Sequence, residues 1–453
     1  MATVENNLTS GNVFKTLWKF TIPFIGINLI QTLYGMVDLY IVGQFAATAD
    51  VSAVSVAGTV IATFSMLLVG LSIGTTVVVG QRFGAGDKKA LEAISATAFS
   101  LAGIVGVILA VAVGALSVPL LRWINTPEDA MGGAIAYMLI CSVGYIFQSF
   151  YNMLAGILRG VGDSKTPLLF VGVSSILNVI GDVILVWGFG MGAAGAAIAT
   201  TVSQGICILM GVVHVTKRGF PFDFKLRSYR FERQEARELI GVGMPIALQE
   251  VLVMFSFIIL EGIVNRFGLS ASAAAGILDK IFLLATIPTN AFCSSISAMV
   301  AQNVGAGAHK RAVECLWYGC ILSVAFAVVF FLLGWLIPEK MVGIFTADQE
   351  VIAAGTEYYV GYKYEYILCA LAFCVNGFIN GTGHTKLTLA NNIISTYAVR
   401  IPGCVLLGVT LGWGILGIGY ALPAASAVQA LVGFAFFALG KWKNPPEKER
   451  REA

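Results

Sequence analysis

Charge is scarce in this sequence. Of its 453 residues, 12% are Asp, Glu, Lys or Arg and 57% are hydrophobic, whereas an ordinary soluble domain carries roughly 25% charged residues. Seven stretches of 24 residues or more contain no charged residue: 51–81, 93–121, 130–158, 183–216, 281–309, 315–338 and 401–440. This shortage excludes a disordered chain, a nucleic-acid-binding protein and a water-soluble enzyme of the usual kind.

Patterns for metal or nucleotide binding are also missing. The three histidines are dispersed, and the eight cysteines lie in apolar stretches without a CxxC pair. Cysteine in such a helix behaves as a small apolar residue, so we expect neither disulfides nor a resident metal. In segment 160–166, Ser164 stands where a phosphate-binding loop needs glycine before its lysine. No cofactor is therefore expected.

Long apolar runs dominate what is present. A helix of about 20 apolar residues crosses the hydrocarbon core of a bilayer, and the runs predict an all-α polytopic membrane protein. We predict twelve spans, at 20–43, 52–80, 91–118, 132–158, 167–188, 193–214, 239–264, 272–300, 312–337, 355–379, 387–411 and 415–440.

The basic residues indicate how these spans are oriented. With both termini in the cytoplasm, only three of the 28 Lys and Arg residues fall in the opposite loops, namely Arg122, Arg266 and Lys340. The predicted location is the cell (inner) membrane. The domains follow as an N-lobe at 1–214, a cytoplasmic linker at 215–238, a C-lobe at 239–440 and a basic cytoplasmic tail at 441–453.

The second half of the chain repeats the first. Pro23 matches Pro245, QRFGAG at 81–86 matches QNVGAG at 302–307, and the segments 159–165 and 190–195 recur at 380–386 and 412–417. The offset is 221 or 222 residues throughout. Because each half has six spans, both halves enter the membrane from the same side, as parallel repeats of a rocking transporter do.

Acidic residues inside predicted spans are the functional candidates, because an ionised carboxylate there is costly. In the first half, Asp38 follows Gln31 and Tyr34 on one stripe of the first span, while Asn178 and Asp182 share a face of the fifth. Asn152, Thr200, Thr201 and Gln204 supply further polar groups. Converging oxygens can bind a cation, and two carboxylates can instead share a proton. The structural alternative is a network of hydrogen bonds that only holds the helices together.

The second half is more ambiguous. Its candidates for substrate contact or a second site are Glu250, Asp279, Lys280, Tyr362, Glu365 and Arg400. We expect Asp279 and Lys280 to form an internal ion pair, which can simply lock packing. Arg400 is expected to face a cavity or a partner, because exposure to lipid is too costly.

These motifs resemble the multidrug and toxic compound extrusion (MATE) family, in its DinF-like or MepA-like bacterial branch. The similarity rests on VDLYIVGQF at 37–45, the QRFGAG and AQNVGAG loops and LRGVGDSKTP at 158–167. It implies a V-shaped two-lobe transporter. It also implies an N-lobe cation site at Asp38, Asn178, Asp182 and Thr200 or Thr201, with Tyr34 and Asn152 alongside.

The resulting hypothesis is a non-enzymatic secondary multidrug antiporter. It would exchange amphipathic or cationic drugs and dyes for H⁺ or Na⁺, as a monomer in the lipid bilayer, and Na⁺ could bind transiently at Asp38 and Asp182. The alternative is a flippase for lipid-linked saccharides of the related superfamily, which predicts a basic cavity.

Overall fold

A computed structural model describes residues 7–220 and 231–443, and every regular element in these ranges is helical. Parts of the predicted linker and tail, 221–230 and 444–453, lie outside the described residues. The helices are α1 Val13–Phe45, α2 Thr48–Gly84, α3 Lys88–Trp123, α4 Glu128–Gly160, α5 Lys165–Asp182, α6 Gly192–Arg218, α7 Arg233–Val264, α8 Leu269–Gly305, α9 His309–Leu336, α10 Pro338–Gly343, α11 Gln349–Gly381, α12 Thr385–Ile393, α13 Ile401–Gly403 and α14 Gly414–Ala438.

Three π-helical segments interrupt this pattern. Val183–Gly188 continues α5, while Ile394–Arg400 and Cys404–Thr410 flank α13. Together α12, α13 and their two π-helical segments make one helical rod from 385 to 410, which corresponds to the eleventh predicted span. Such π turns are rare and occur frequently at functional sites.

The predicted fold class is confirmed. Within the described residues, 11 helices are long and apolar enough to cross a membrane. The tenth predicted span corresponds to α11, which has 33 residues like α1 and α4 but is interrupted by polar residues such as Glu365 and Asn376. Each of these helices begins one to seven residues before its predicted span. The short α10 was not predicted.

The two halves share one packing plan. Helix α4 packs against α2, α3 and α6, and α11 packs equivalently against α8, α9 and α14. The equivalent loops also share a backbone turn, since Gly86 and Gly307 have φ of 73° and 71°. These glycines end the GAG motifs and adopt the left-handed conformation that closes a helix. The repeat read from the sequence is therefore a repeat of structure.

The chain forms two compact units whose boundary does not follow the middle of the sequence. Of the described residues, unit 1 contains Asn7 with residues 26–220 and 231–247, and unit 2 contains Leu8–Ile25 with residues 248–443. Each half thus gives the first part of one helix to the other unit, α1 near Pro23 and α7 near Pro245. In unit 1, Arg82 binds Glu238 of this exchanged part of α7 at 2.8 Å. The sequence did not indicate this exchange.

The exchanged segment of unit 2 is anchored by Arg311 at the start of α9. Its guanidinium donates to the carbonyl oxygens of Gly11 and Ser10 at 2.7 and 3.0 Å, and its Nε donates to Asn303 at 3.2 Å. Gln302 Oε1 accepts a hydrogen bond from the Leu8 amide N–H at 3.1 Å. Both Gln302 and Asn303 belong to the QNVGAG motif, which therefore holds the N-terminal segment in unit 2.

The outward faces of the helices are apolar. Ile108 and Val111 on α3, Leu209 on α6 and Leu431 on α14 are all exposed. Large exposed apolar surfaces of this kind are unusual for a soluble monomer. Together with the apolar helices, they identify a multi-span membrane protein.

Candidate functional site

Three helices of unit 1 bring together the acids predicted in the first half. Asp38 lies on α1, Asn178 and Asp182 on α5, and Thr200 on α6. All four are buried, with Asp182 0% and Asn178 1% exposed. Asn178 and Asp182 face the same way because they are four residues apart in a helix. Asp182 is also the last residue before the π-helical segment Val183–Gly188.

The two carboxyl groups are neighbours. Asp38 and Asp182 lie within hydrogen-bonding reach of each other, so one proton could be shared between them. Among the described residues, no donor reaches Asp38 Oδ1, either carboxylate oxygen of Asp182, or Asn178 Oδ1. The amide of Asn178 is instead oriented by its Nδ2, which donates to Thr200 Oγ1 at 3.3 Å. Four buried oxygens are therefore left without a donor.

This arrangement is costly unless something positive joins it. Buried polar groups are normally hydrogen-bonded, and buried charges are normally paired. Within the described residues, neither Asp38 nor Asp182 forms an ion pair with Lys or Arg. Carboxylate, amide and hydroxyl oxygens are suitable ligands for a hard cation. Protons or a cation such as Na⁺ can therefore complete the site.

A cavity of about 170 Å³ adjoins these residues within unit 1. Its lining is polar and aromatic, and none of the lining residues is Asp, Glu, Lys or Arg in the described part of the chain. The lining residues are Gln31, Tyr34, Val69, Gln148, Tyr151, Asn152, Val171, Ser174, Ser175, Asn178, Thr200, Ser203, Gln204 and Cys207. The predicted Gln31, Tyr34, Asn152 and Gln204 thus share one cavity with Asn178 and Thr200.

The two adjacent threonines of α6 have different surroundings. Thr200 contacts Asn178 and lies beside Tyr34. The Thr201 hydroxyl donates to the Ile140 carbonyl of α4 at 3.2 Å, and Thr201 is not a lining residue. Thr200 therefore lines the cavity, whereas the Thr201 hydroxyl is directed to the backbone of α4. Of the two alternatives, the structure brings Thr200 to the acids.

Unit 2 contains a buried carboxylate of its own. Glu365 on α11 is 2% exposed, and Ser426 of α14 donates to its Oε1 at 2.8 Å. Its Oε2 has no donor among the described residues. Phe282 of α8 contacts two tyrosines of the same helix α11, Tyr362 and Tyr366. Tyr362 in turn contacts Tyr358 and Tyr359.

A family model describes both halves. The MatE model matches residues 23–184 and, a second time, residues 245–406. This chain belongs to the MatE family. The two matches begin 222 residues apart, 245 against 23, which agrees with the repeat. Because MATE proteins are transporters, the chain is a transporter and not an enzyme.

Relatives and solved structures match over nearly the full length. The chain is 28% identical to "Probable multidrug resistance protein YpnP" of Bacillus subtilis, covering 96% of this chain and 97% of the relative. It is 24% identical to "Multidrug export protein MepA" of Staphylococcus aureus, covering 92% of both. A solved outward-facing MATE family transporter is 21% identical with a TM-score of 0.91, covering 97% and 98%. That likeness shows the shared fold.

The expected ion pair in the second half of this MATE chain is not formed. Asp279 and Lys280, both in the described ranges, are exposed and make no ion pair with each other. Consecutive residues of a helix point in different directions, so adjacency in sequence was a poor guide. Glu250 on α7 is half-buried. In the described structure Ser426 is hydrogen-bonded to Glu365 and to none of these three residues.

Sequence reasoning missed several cavity residues of the MATE chain. Gln148, Tyr151, Ser175 and Ser203 line the cavity but were not singled out. Gln148 lies four residues before Asn152 and Ser175 three before Asn178, so helical spacing from known candidates would have found both. Arg159 was considered only as part of the repeated segment 159–165. It is the last basic residue of α4, and its Nη2 donates to Ser72 of α2 at 2.5 Å.

Proposed function

We propose that this chain is a secondary active multidrug efflux antiporter that exchanges amphipathic or cationic small molecules for H⁺ or Na⁺ by alternating access. The observation that carries the proposal is the Asp38–Asp182 pair, whose buried oxygens lack donors among the described residues. No cofactor takes part beyond the coupling ion.

The coupling ion would bind in unit 1. Asp38 and Asp182 would hold it, and the oxygens of Asn178 and Thr200 would complete its shell. Tyr34 and Asn152 border the same cavity. Entry of one positive charge down a membrane potential of about 100 mV supplies about 2.3 kcal/mol, to which any concentration gradient adds. Neutralising the acid pair is the step that would release a bound cationic substrate.

The proposed substrates follow from the relatives and from the lining of the cavity. Relatives named multidrug resistance or export proteins support small organic molecules. Tyrosine rings such as Tyr34 and Tyr151, with amide and hydroxyl groups, suit varied amphipathic compounds. A flippase for lipid-linked saccharides needs basic residues for a pyrophosphate, and no Lys or Arg lines this cavity in the described ranges.

The protein would act as a monomer in the cell (inner) membrane with both termini in the cytoplasm. Basic loop residues on that side support this orientation.

The test is dye transport by purified protein in sealed vesicles, with a sodium gradient and a pH gradient imposed separately. We expect one of the gradients to drive uptake of a fluorescent cationic dye. Asp38→Asn and Asp182→Asn should abolish driven uptake without loss of folded protein, because a neutral amide has no negative charge with which to bind a proton or a sodium ion.

Asp129→Asn is the matched control, since Asp129 is an exposed acid in the first turn of α4. It should transport like the unmodified protein. Driven uptake at the normal rate by Asp38→Asn would contradict the assignment of the site. Transport of lipid-linked saccharide in place of dye would favour the flippase.

A further inference from the structure

A chain of hydrogen bonds connects Arg159 with the cavity of unit 1. Arg159 Nη2 donates to Ser72 Oγ at 2.5 Å, and the Ser72 hydroxyl donates to the backbone carbonyl oxygen of Asn152. Ser72 is 0% exposed, and Asn152 is one of the residues that line the cavity. A single buried hydroxyl group therefore separates the guanidinium of Arg159 from the wall of the cavity.

Arg159 and the acid pair lie at opposite ends of this cavity. Arg159 is in the last turn of α4, two turns or about 10 Å beyond Asn152. Helix α5 begins just after α4 ends and has 18 residues, so Asp182 at its far end lies about 27 Å along it. The cavity is lined by Asn178 and Thr200 of the acid site and by Asn152. It therefore extends from the acid pair at one end to the hydrogen-bonded chain of Arg159 at the other.

Unit 2 does not repeat this chain. At an offset of 221 residues, Arg159, Ser72 and Asn152 correspond to Asn380, Cys293 and Phe373. Asn380 is directed to α12, where its Oδ1 accepts a hydrogen bond from Thr388 at 2.7 Å. Arg400, a base in the helical rod 385–410 of unit 2, has its guanidinium 5.8 Å from the ring centroid of Phe257. The positive charge at this position is thus a feature of the unit that contains the acid pair.

Helix packing at this position is the same in the two units. A Cβ atom at Gly156 would lie 2.7 Å from the Ser72 carbonyl oxygen, and one at the equivalent Gly377 would lie 2.5 Å from the Cys293 carbonyl oxygen. Helix α4 thus approaches α2 as closely as α11 approaches α8, although unit 2 has an amide in place of the guanidinium. Close packing of these helices therefore does not require the positive charge.

A fixed positive charge beside the cavity acts on cations. Like charges repel each other strongly in a medium of low polarity, and an arginine beside a pathway excludes protons and other cations in membrane channels and transporters. The residues that line the cavity are uncharged in the described part of the chain. A cation that moves from the acid pair toward Asn152 would lose its carboxylate ligands and approach the Arg159 guanidinium.

We propose that Arg159 is an electrostatic barrier at the end of the unit 1 cavity, which prevents the coupling cation from passing along unit 1 without a change of conformation. In the proposed orientation this end faces the cytoplasm. The barrier would stop cations from leaking inward and would thereby tie their entry to export of the substrate. Ser72 is the positioning residue that holds the guanidinium in place. This inference rests on the proposed function.

The test measures cation leak through the purified full-length protein in sealed vesicles without dye. Two rates are recorded: the collapse of an imposed pH gradient and the release of radioactive sodium. Arg159→Gln removes the charge but keeps a donor for Ser72, whereas Arg159→Lys keeps the charge. Lys165→Gln is the matched control, since Lys165 is an exposed base at the start of α5.

We expect Arg159→Gln to leak one of the two cations about tenfold faster than the unmodified protein, because the repulsion is lost. Arg159→Lys and Lys165→Gln should leak at the unmodified rate. A positive charge in the last turn of a helix also stabilises the helix dipole. Loss of that effect would lower thermal stability and leave the vesicles tight.

Two results would overturn the proposal: an unchanged leak in Arg159→Gln, or a leak in Arg159→Lys as fast as in Arg159→Gln. If Arg159→Gln does not fold, Ser72→Ala decides. This variant keeps the guanidinium but removes its anchor, so its leak should exceed the unmodified rate. An unchanged leak in Ser72→Ala would also overturn the proposal.

A double variant separates this inference from the function on which it rests. Asp38→Asn/Arg159→Gln should leak at the slow rate of the unmodified protein, because cations are expected to reach the barrier through the acid pair. If the double variant leaks as fast as Arg159→Gln, the proposed coupling site is wrong while the barrier stands. If the double variant is slow and Arg159→Gln is equally slow, the barrier is wrong while the coupling site stands.

Discussion

The two units of this transporter share a skeleton and differ in their buried charges. Among the described residues, unit 1 contains the buried pair Asp38 and Asp182 without an ion-pair partner, whereas unit 2 contains a single buried acid, Glu365, which accepts a hydrogen bond from Ser426. The helices around them pack in the same order in both units. After the duplication, the helix contacts were therefore kept in both units, whereas the positions of the buried charges changed.

Small residues keep the skeleton. On α4, a Cβ atom at Gly156 would lie 2.7 Å from the Ser72 carbonyl oxygen of α2. The equivalent Gly377 on α11 would place a Cβ atom 2.5 Å from the Cys293 carbonyl oxygen of α8. Small residues let helix backbones approach closely in membranes, where burial of apolar surface drives little association. Both units thus depend on the same contact.

The largest expected effect tests this shared skeleton. Gly156→Leu and Gly377→Leu should each lower the free energy of unfolding by about 3 kcal/mol, because the new side chain meets backbone that cannot move aside. Thermal unfolding in detergent measures the loss. Gly132→Leu is the control, because Gly132 is exposed and has nothing within 4 Å of an added Cβ. A large loss of stability from one of these substitutions and none from the other would contradict the conclusion that both units depend on the same contact.

A smaller effect tests how unit 2 holds its exchanged segment. Arg311→Gln should lower the free energy of unfolding by about 2 kcal/mol, because charge-assisted hydrogen bonds to Gly11 and Ser10 are lost. Hydrogen exchange at the Leu8 amide should also become faster. The exposed neighbour Lys310→Gln should change neither quantity. Unchanged exchange in Arg311→Gln would show that the apolar contacts of α1 suffice.

The smallest effect concerns the paired threonines of unit 1. Thr200→Val removes an oxygen from the proposed cation shell and should weaken the coupling cation about tenfold, or about 1.4 kcal/mol. Thr201→Val removes a hydroxyl that is already bonded to Ile140 and should leave cation affinity unchanged. The dependence of driven dye uptake on the concentration of the coupling cation measures its affinity in both variants. Equal losses of cation affinity in the two variants would contradict the placement of Thr200, and not Thr201, in the cation shell.

The helices and the place of each acid on its helix were predictable because their signals are local. A charge-free run of sufficient length indicates a span wherever it occurs, and residues four apart, such as Asn178 and Asp182, must share a helix face. The choice between Thr200 and Thr201 was not predictable, because it depends on the rotation of α6 against α4 and α5. The ion pair expected between Asp279 and Lys280 was wrong for a local reason, because consecutive residues of a helix point in different directions.

The exchange of helix halves at Pro23 and Pro245 left no local signal either. The prolines were visible, but which unit each half-helix joins depends on partners almost 300 residues away, such as Gln302 and Asn303 for Leu8.

The scarcity and placement of charge, read along the chain, determined that this is a membrane protein with two acids inside the spans of its first half, and the repeated motifs determined that the chain is duplicated. Hydropathy and periodicity suffice for that, because each helix in lipid satisfies its own backbone. Tertiary structure decided which oxygens meet, which threonine lines the cavity and which unit contains each half-helix. Those outcomes depend on contacts between distant segments, whose geometry no single stretch of sequence encodes.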